Sequence, residues 1–405
     1  MIGILWDASH VWGYLLLHAV RSAGISFRIL RAPEIAQSGL SCKMFIVPGG
    51  PARRKMQALG QNGLTAVRSF VERGGKYLGF CGGAGLALAD GIGLCSWKRE
   101  NLTDRLQHLV SGSLECRIEA GHPLVPDSIA GQSALLPVWW PGRFDEPQEQ
   151  GNARVLARYH APGSDLYVAD LPYASMPEEI LAEWKDMYGV TLRPSLLDGM
   201  PCIVAGTRGM GEWLLSYSHL ETPEEGPCKT AAGTWFLHLL RTWSGQEPAV
   251  KMIPPLNPDA MPVLWEDDAL SHARRELEAL LDLGRELGLL FPRRSWLLGW
   301  RSGVPGPQLN SLRLALAMTP SLTPDDRRID TWNRNREEFR RMSTLFFQGA
   351  RSWLLARRLA DTLADSAPGM LPRELLFGQK QSLFGSPMNG GGLCGQLLDM
   401  LEQAL

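Results

Sequence analysis

The chain has 405 residues, of which 45% are hydrophobic and 20% are charged. This composition supports a large buried core and excludes a disordered or fibrous chain, and the length suits two domains. Lys and Arg number 41 and Asp and Glu number 42, so no excess of basic charge is available to bind nucleic acid. No stretch approaches the roughly 18–20 apolar residues that a membrane span needs. We therefore expect a cytoplasmic protein that binds neither nucleic acid nor a membrane.

The first third of the chain alternates short apolar runs with helical patterns. Strands that are apolar on both faces, with helices between them, indicate a parallel sheet covered by helices on both sides. The sequence therefore predicts an α/β fold with an open, mostly parallel sheet and with functional groups at the carboxyl ends of its strands. The predicted strands are Ile2–Trp6, Ser26–Leu30, Lys43–Val47 and Tyr77–Phe80, and the predicted helices are Val11–Ala23 and Leu64–Val71.

Short strands with turn signals follow between residues 109 and 218. They predict an antiparallel extension of the sheet, with a last strand that returns to the parallel part. A helix at Thr230–Trp243 is predicted to pack back on the sheet. The predicted strands of this region are Ala134–Trp140, Arg154–Tyr159, Asp165–Ala169, Cys202–Ala205 and Glu212–Tyr217.

A proline-rich stretch divides the chain. Residues 246–262 contain five prolines and almost no periodic apolar pattern, which is typical of a linker. The predicted domains are therefore residues 1–245, with the α/β pattern, and residues 263–405.

Helical periodicity dominates the C-terminal part. Ala269–Leu290 and Arg336–Leu363 each place leucines on one side and charges on the other, so residues 263–405 are predicted to form a mostly helical module. We expect the Leu/Trp stripe at Trp353–Leu363 to be core or an oligomer contact. The run Gly390–Gly392 is predicted to be a flexible loop.

The cysteines are odd in number and widely spaced, and no two form a Cys-x-x-Cys pair. Neither a disulfide framework nor a structural zinc site is therefore expected, and we predict no metal ion and no cofactor. Each cysteine is then either a small core residue or a reactive thiol. The seven are Cys42, Cys81, Cys95, Cys116, Cys202, Cys228 and Cys394.

One cysteine stands in a motif. Cys81 follows an apolar strand, has Gly79 two residues before it and Gly82 and Gly83 after it, and precedes a helical pattern. This is Gly-x-Cys-x-Gly, the cysteine form of the nucleophile elbow. A sharp strand-to-helix turn brings neighbouring chain so close that flanking side chains would clash, and it exposes the nucleophile. Cys81 is therefore the candidate nucleophile.

A candidate proton acceptor lies downstream. The apolar run that begins at Gly209 ends in His219-Leu220-Glu221, which we predict to be extended. Residues two apart in an extended segment point to the same side, so Glu221 can orient one imidazole nitrogen of His219 while the other faces Cys81. The sequence predicts a Cys81, His219 and Glu221 triad.

The turn Pro48-Gly49-Gly50 follows the third predicted strand. A glycine-rich turn at this edge exposes backbone N–H groups, and those of Gly50 and Gly82 are candidates to bind an oxyanion. Gly49 is a candidate pocket residue. Asp7 and Ser9, which follow the first strand, either line the same pocket or cap a turn.

Three motifs, in this order, resemble the class I glutamine amidotransferase-like superfamily: Val47–Gly50, Gly74–Gly83 and Ser218–Glu221. Within it, residues 1–245 are most similar to the N-terminal domain of biotin–protein ligases of the eukaryotic type. The resemblance implies a flavodoxin-like sheet and a Cys-His-Glu triad on Cys81, His219 and Glu221. The glutamine-gripping loops of amidotransferases and the ligase catalytic half are not found in the sequence.

Two functions remain open. The first is a cysteine-nucleophile amidase or amidotransferase-like hydrolase that acts on a small carboxamide through a thioester. A separate acceptor or synthetase protein would use any ammonia released, because no phosphate-binding Gly-Lys-Ser/Thr loop is present. The second is a non-catalytic binding or regulatory module of the biotin–protein ligase N-terminal type, without ligase activity.

Overall fold

The computed structural model describes all residues except 101–108, 150, 190–196, 226–228 and 387–389. Cys228 lies outside the described residues. The chain forms two compact units, Met1–Pro255 and Leu256–Leu405, and the division falls within the stretch predicted as a linker.

The first unit alternates strands and helices before a run of strands. Its strands are β1 Ile2–Leu5, β2 Phe27–Leu30, β3 Met44–Val47, β4 Lys76–Phe80, β5 Lys98–Arg99, β6 Val110–Ile118, β7 Ser133–Trp139, β8 Phe144–Asp145, β9 Ala153–Pro162, β10 Tyr167–Val168, β11 Leu171–Pro172, β12 Pro201–Arg208 and β13 Gly211–Ser216. Its helices are α1 His10–Ser22, α2 Ala32–Ser38, α3 Ala52–Glu72, α4 Gly82–Leu86, α5 Glu178–Tyr188 and α6 Ala232–Ser244.

One large sheet organises this unit. The strand order is β11-β10-β6-β9-β12-β13-β4-β3-β1-β2, and β7 also pairs with β6. The five strands from β13 to β2 are parallel to one another, and the strands on the other side of β13 are antiparallel. The predicted α/β sheet with an antiparallel extension is confirmed.

The parallel strands form because they are apolar on both faces. Alternate side chains enter two different hydrophobic clusters: Ile46 of β3 packs with residues of α1 and α6, whereas Phe45 packs with residues of α3. Since each face is covered by helices, a continuous apolar run is the pattern expected of such a strand. The carboxyl ends of β3, β4 and β13 then lie side by side, with Val47 opposite Gly79 and Ser216 opposite Phe80.

Two predicted elements of this unit differ most from the structure. The helix predicted at Leu64–Val71 begins at Ala52, and a non-helical Gly60 interrupts it. Its first half is rich in Arg, Lys and Gln, so the apolar periodicity that marks a helix is weak there. The strand predicted at Glu212–Tyr217 ends at Ser216, and the extended conformation predicted to continue through Glu221 is not found.

The second unit is mostly helical, as predicted, but it also contains a β-hairpin. Its elements are α7 Asp268–Glu286, β14 Leu290–Arg294, β15 Leu297–Trp300, α8 Gly306–Met318, α9 Asp326–Thr362, α10 Arg373–Phe384 and α11 Gly392–Gln403. Gly392 belongs to α11, so the prediction of a loop through Gly390–Gly392 is wrong at its last residue. Among the described residues, no helix is long and apolar enough to cross a membrane.

The stripe Trp353–Leu363 of α9 is divided between core and surface. Trp353 and Leu354 are buried, whereas Leu355 and Leu359 are about half exposed at 48% and 47%. The Trp353 indole donates a hydrogen bond to the Leu376 carbonyl oxygen at 3.0 Å. Trp353 and Leu354 are therefore core of this unit.

Candidate active site

Cys81 is the single residue between β4 and α4. Its backbone has φ 46° and ψ −102°, a conformation that L side chains rarely adopt. Its N–H donates to the Ser216 carbonyl oxygen at 2.7 Å, and its own carbonyl oxygen accepts from Gly85 at 2.9 Å. The strained residue is thus tied to β13 on one side and to α4 on the other.

Close backbone contacts explain the glycines around Cys81. A Cβ atom on Gly82 would lie 1.6 Å from the Gly50 carbonyl oxygen, and one on Gly83 would lie 2.1 Å from the Val47 carbonyl oxygen. A Cβ atom on Gly79 would lie 2.6 Å from the Gly83 carbonyl oxygen. Any side chain at these positions would push the elbow away from the turn after β3, so the motif has a steric cause.

His219 and Glu221 are joined by a buried hydrogen bond. The distance from Nδ1 of His219 to Oε1 of Glu221 is 2.7 Å, and neither residue is exposed. Nε2 of His219 is also buried and has no nitrogen or oxygen partner among the described residues. Glu221 therefore holds the imidazole at its Nδ1 edge, and Nε2 is left without a nitrogen or oxygen partner in the described part of the chain.

The geometry that brings these two side chains together is not the predicted extended strand. After β13, the Ser216 hydroxyl donates to the Ser218 carbonyl oxygen at 2.6 Å, and Thr222 N–H donates to the His219 carbonyl oxygen at 3.2 Å. These bonds form a tight turn, in which residues two apart also approach each other. The pairing of His219 with Glu221 is as expected, but a turn produces it.

The charges of the site act on Cys81 and His219 in opposite directions. Burial raises the pKa of the Cys81 thiol, but the hydrogen bond and charge of His219, helped by Arg99, outweigh burial and lower the pKa below its ordinary value. Burial lowers the pKa of His219, but Glu221 and Cys81 outweigh it and raise this pKa to about 9. The two shifts together favour a thiolate–imidazolium pair.

Four other described cysteines are shifted in the opposite direction from Cys81. Burial raises the pKa of Cys42 to about 11, and it raises the pKa of Cys95 to the same value. Burial also raises the thiol pKa of Cys116 and Cys394. Of these cysteines Cys42 is partly exposed, as Cys81 is, so exposure alone does not produce the lowered pKa of Cys81.

Asp7 and Ser9 have structural partners. The Asp7 carboxylate accepts a hydrogen bond from the Ala32 N–H at 2.8 Å, next to the start of α2, so its side chain acts as a cap. The Lys55 ammonium donates to the Asp7 carbonyl oxygen and to the Ser9 hydroxyl, both at 2.8 Å. These bonds hold the loop after β1 in place, and Ser9 is buried within it.

Gly49 and Gly50 lie against the other site segments. A Cβ atom on Gly50 would lie 2.0 Å from the Ala8 carbonyl oxygen, so this residue contacts the loop after β1. A Cβ atom on Gly49 would lie 2.8 Å from Cε1 of His219. No backbone acceptor for the N–H groups of Gly50 and Gly82 occurs in the described loops and turns.

The aromatic surroundings of His219 were not predicted from the sequence. The Trp12 ring lies against the imidazole, with centroids 4.2 Å apart and an angle of 30° between the planes. Trp12 also contacts Trp139 at 5.6 Å and Trp140 at 6.5 Å. Trp12 comes early in the chain, in α1, and no local pattern connects it with His219.

The sequence also shows no sign that Arg99 and Tyr217 lie at this site. The guanidinium of Arg99 lies 5.9 Å from the Tyr217 ring centroid, a cation–π contact, and its charge lowers the thiol pKa of Cys81. The Tyr217 ring packs on Phe144 at 4.5 Å, and the buried hydroxyl has no partner among the described residues. Arg99 belongs to the two-residue strand β5, which is too short for a sequence pattern.

The comparisons with known proteins bear on part of this site. Residues 37–101 match the family described as "Biotin-protein ligase, N terminal". This segment contains the Gly49-Gly50 turn and Cys81, so the resemblance stated from the motifs is confirmed there. His219 and Glu221 lie beyond it. No curated protein matches the chain.

Among the described residues, no group of three or more His, Cys, Asp or Glu is placed to hold a metal ion.

Several solved structures are weakly similar to this chain. A putative GMP synthase subunit from Thermoplasma acidophilum is 11% identical with a TM-score of 0.37, and the match covers 60% of this chain and 94% of that one. A β-galactosidase from Bacillus circulans sp. alkalophilus is 14% identical with a TM-score of 0.35, over 61% of this chain and 31% of that one. The β-galactosidase of Rahnella sp. R3 is 12% identical with a TM-score of 0.36, and the match covers 63% of this chain and 32% of that one. The chain thus spans about a third of the length of these β-galactosidases.

Proposed function

We propose that residues 1–245 form a cysteine hydrolase that acts on a small carboxamide, with Cys81 as nucleophile, His219 as proton carrier and Glu221 as the group that orients the imidazole. One observation carries the proposal: the buried 2.7 Å bond between His219 and Glu221 belongs to the same imidazole that lowers the thiol pKa of Cys81. Perturbed pKa values of this kind, on a cysteine with a hydrogen-bonded histidine, cluster at functional sites.

The first half of the proposed reaction releases ammonia. The Cys81 thiolate attacks the carboxamide carbon, a C–S bond forms, and the carbonyl oxygen becomes an oxyanion that the N–H groups of Gly50 and Gly82 stabilise. The His219 imidazolium then donates its Nε2 proton to the leaving nitrogen as the C–N bond breaks. A thioester on Cys81 remains, and His219 is neutral.

Water completes the cycle. Neutral His219 takes a proton from water, the hydroxide adds to the thioester carbon, and the C–S bond breaks to give a carboxylic acid. The Cys81 thiolate and the His219 imidazolium are restored. The released acid gives its proton to the released ammonia in solution, so the net reaction is carboxamide plus water to carboxylate plus ammonium. If ammonia is the useful product, a separate acceptor or synthetase protein uses it.

An activity assay combined with mass spectrometry of the Cys81 peptide tests this proposal. Purified protein is incubated with a panel of small carboxamides, ammonia release is measured, and a covalent adduct on the Cys81 peptide is sought by mass spectrometry. Cys81→Ala is expected to remove both signals with an unchanged circular dichroism spectrum, whereas Cys42→Ala, the matched partly exposed cysteine, keeps them. Failure of every carboxamide to give ammonia or an adduct would contradict the hydrolase.

The alternative proposal is a binding or regulatory module without turnover. It is favoured by the match of residues 37–101 to a family named for the N-terminal part of a ligase. The module needs no activated thiol, so the alkylation rate of Cys81 separates the two proposals. Alkylation that follows an ordinary thiol pKa of about 8.5 would support the module.

A further inference from the structure

Trp12 and His219 form a stacked pair inside the first unit. Their ring centroids are 4.2 Å apart and their planes differ by 30°, so the indole presents its face to the imidazole. Trp12 contacts Trp140 differently, edge to face at 88°. The face of an indole is electron-rich and attracts a cation, and this attraction is strongest where water is excluded. Trp12 is 4% exposed and His219 is fully buried.

Gly49 provides an independent observation on the same pair. A Cβ atom built on Gly49 would lie 2.7 Å from Cδ1 of Trp12 and 2.8 Å from Cε1 of His219. The backbone at Gly49 therefore touches both rings at once, and a side chain there would force the stack apart. The two rings and this backbone segment leave the imidazole little room to turn.

We propose that Trp12 is a positioning residue whose indole face, with the backbone of Gly49, holds the His219 imidazole toward Cys81 and stabilises its protonated form. This inference rests on the proposed Cys81 and His219 pair. The groups that act on His219 besides Trp12 are Glu221 and Cys81, and Arg99 acts on Cys81. Glu221 holds the ring through one bond at Nδ1, about which the ring can still tilt. Contact with Trp12 removes that freedom.

The test measures alkylation of Cys81 by iodoacetamide as a function of pH, read from the mass of the Cys81 peptide. Trp12→Leu keeps apolar bulk but removes the aromatic face. It is expected to raise the apparent thiol pKa by about one pH unit, because a desolvated cation–π contact is worth roughly one such unit. Trp12→Phe, which keeps a smaller face, is expected to give an intermediate shift.

Two further variants make the result specific. Trp140→Leu removes a tryptophan of the same cluster that is not stacked on His219, so its alkylation profile should match that of the native chain. Gly49→Ala should shift the profile in the same direction as Trp12→Leu by separating the rings. Circular dichroism and urea unfolding show which variants are folded. If Trp12→Leu does not fold, the alkylation profile of Trp12→Phe is used instead.

A folded Trp12→Leu or Trp12→Phe variant with the native alkylation profile would overturn the inference, as would an equal shift in Trp140→Leu. Alkylation needs no substrate, so the result is independent of whether any carboxamide is hydrolysed. A native chain that hydrolyses no carboxamide but shows the Trp12 shift would contradict the proposed function and leave this inference standing.

Discussion

The backbones of Gly82 and Gly50 touch: a Cβ atom on Gly82 would lie only 1.6 Å from the carbonyl oxygen of Gly50. The contact joins the elbow after β4 to the turn after β3, and neither backbone can retreat without moving a strand end. The two glycines whose N–H groups are proposed to bind the oxyanion therefore belong to segments that are in direct contact. The position of the elbow and the packing of the sheet edge therefore depend on the same glycine.

Gly82→Ala is expected to destabilise the first unit strongly. Relief of a 1.6 Å contact needs a shift of backbone, so we expect a loss of about 3 kcal/mol or more in the free energy of unfolding. Urea unfolding monitored by circular dichroism measures it. Gly85→Ala is the matched control, because its Cβ would lie at an ordinary 3.4 Å from Ala52. An equally mild effect of both changes would contradict the close contact.

The strain at Cys81 predicts an unusual order of stabilities. At φ 46° and ψ −102° glycine is favoured over any L residue, so Cys81→Gly should be more stable than Cys81→Ala by about 1 kcal/mol. At Cys202, in β12, the order should reverse, because glycine weakens a strand. Urea midpoints of the four variants measure both differences, and the same order at both positions would refute strain at the elbow.

Regular patterns made the parallel strands and the elbow predictable. β1, β3 and β4 lie within one residue of the predicted bounds, because strands buried on both faces give uninterrupted apolar runs. The Gly-x-Cys-x-Gly spacing was equally informative, since steric contact leaves no other residue type at Gly82 and Gly83.

Contacts between distant parts of the chain were not predictable. The stacking of Trp12 on His219 depends on how α1 packs beside the turn after β13, which no local pattern records. The β14–β15 hairpin was missed because Pro292 interrupts its first strand and the strands are short. The turn at His219 replaced an expected strand because the bonds of Ser216 compete with strand pairing.

His219→Gln is expected to abolish the activation of Cys81. Without the imidazole, burial remains the largest influence on the thiol and raises its pKa above the ordinary value, although Arg99 still opposes this. Because each pKa unit is a tenfold change in thiolate, alkylation of Cys81 near pH 7 should fall by about tenfold or more. Iodoacetamide kinetics measure it. His122→Gln, a partly buried histidine with no effect on Cys81, is the control, and an unchanged rate in His219→Gln would contradict the pair.

Glu221→Gln changes two opposing influences. The carboxylate raises the pKa of His219 and, more weakly, raises that of Cys81. Its removal therefore lowers the pKa of His219, so the imidazolium that supports the thiolate is lost at a lower pH. Because His219 acts on the thiol more strongly than Glu221 does, we expect slower alkylation near pH 7. The exposed Glu119→Gln serves as control, and faster alkylation in Glu221→Gln would show that direct repulsion dominates.

In the second unit, Asn310 ties α8 to the hairpin. Its buried amide accepts from the Leu298 N–H at 2.8 Å and donates to the carbonyl oxygens of Leu298 at 3.0 Å and Gly306 at 2.9 Å. Asn310→Ala removes both side-chain bonds to the buried backbone of Leu298, so we expect a loss of about 2–4 kcal/mol in the free energy of unfolding. The partly exposed Asn335→Ala, which loses one bond to Gln403, should cost well under 1 kcal/mol by the usual scale of about 0.5 kcal/mol for surface changes. Equal urea midpoints for the two variants would mean that β15 gains no stability from α8.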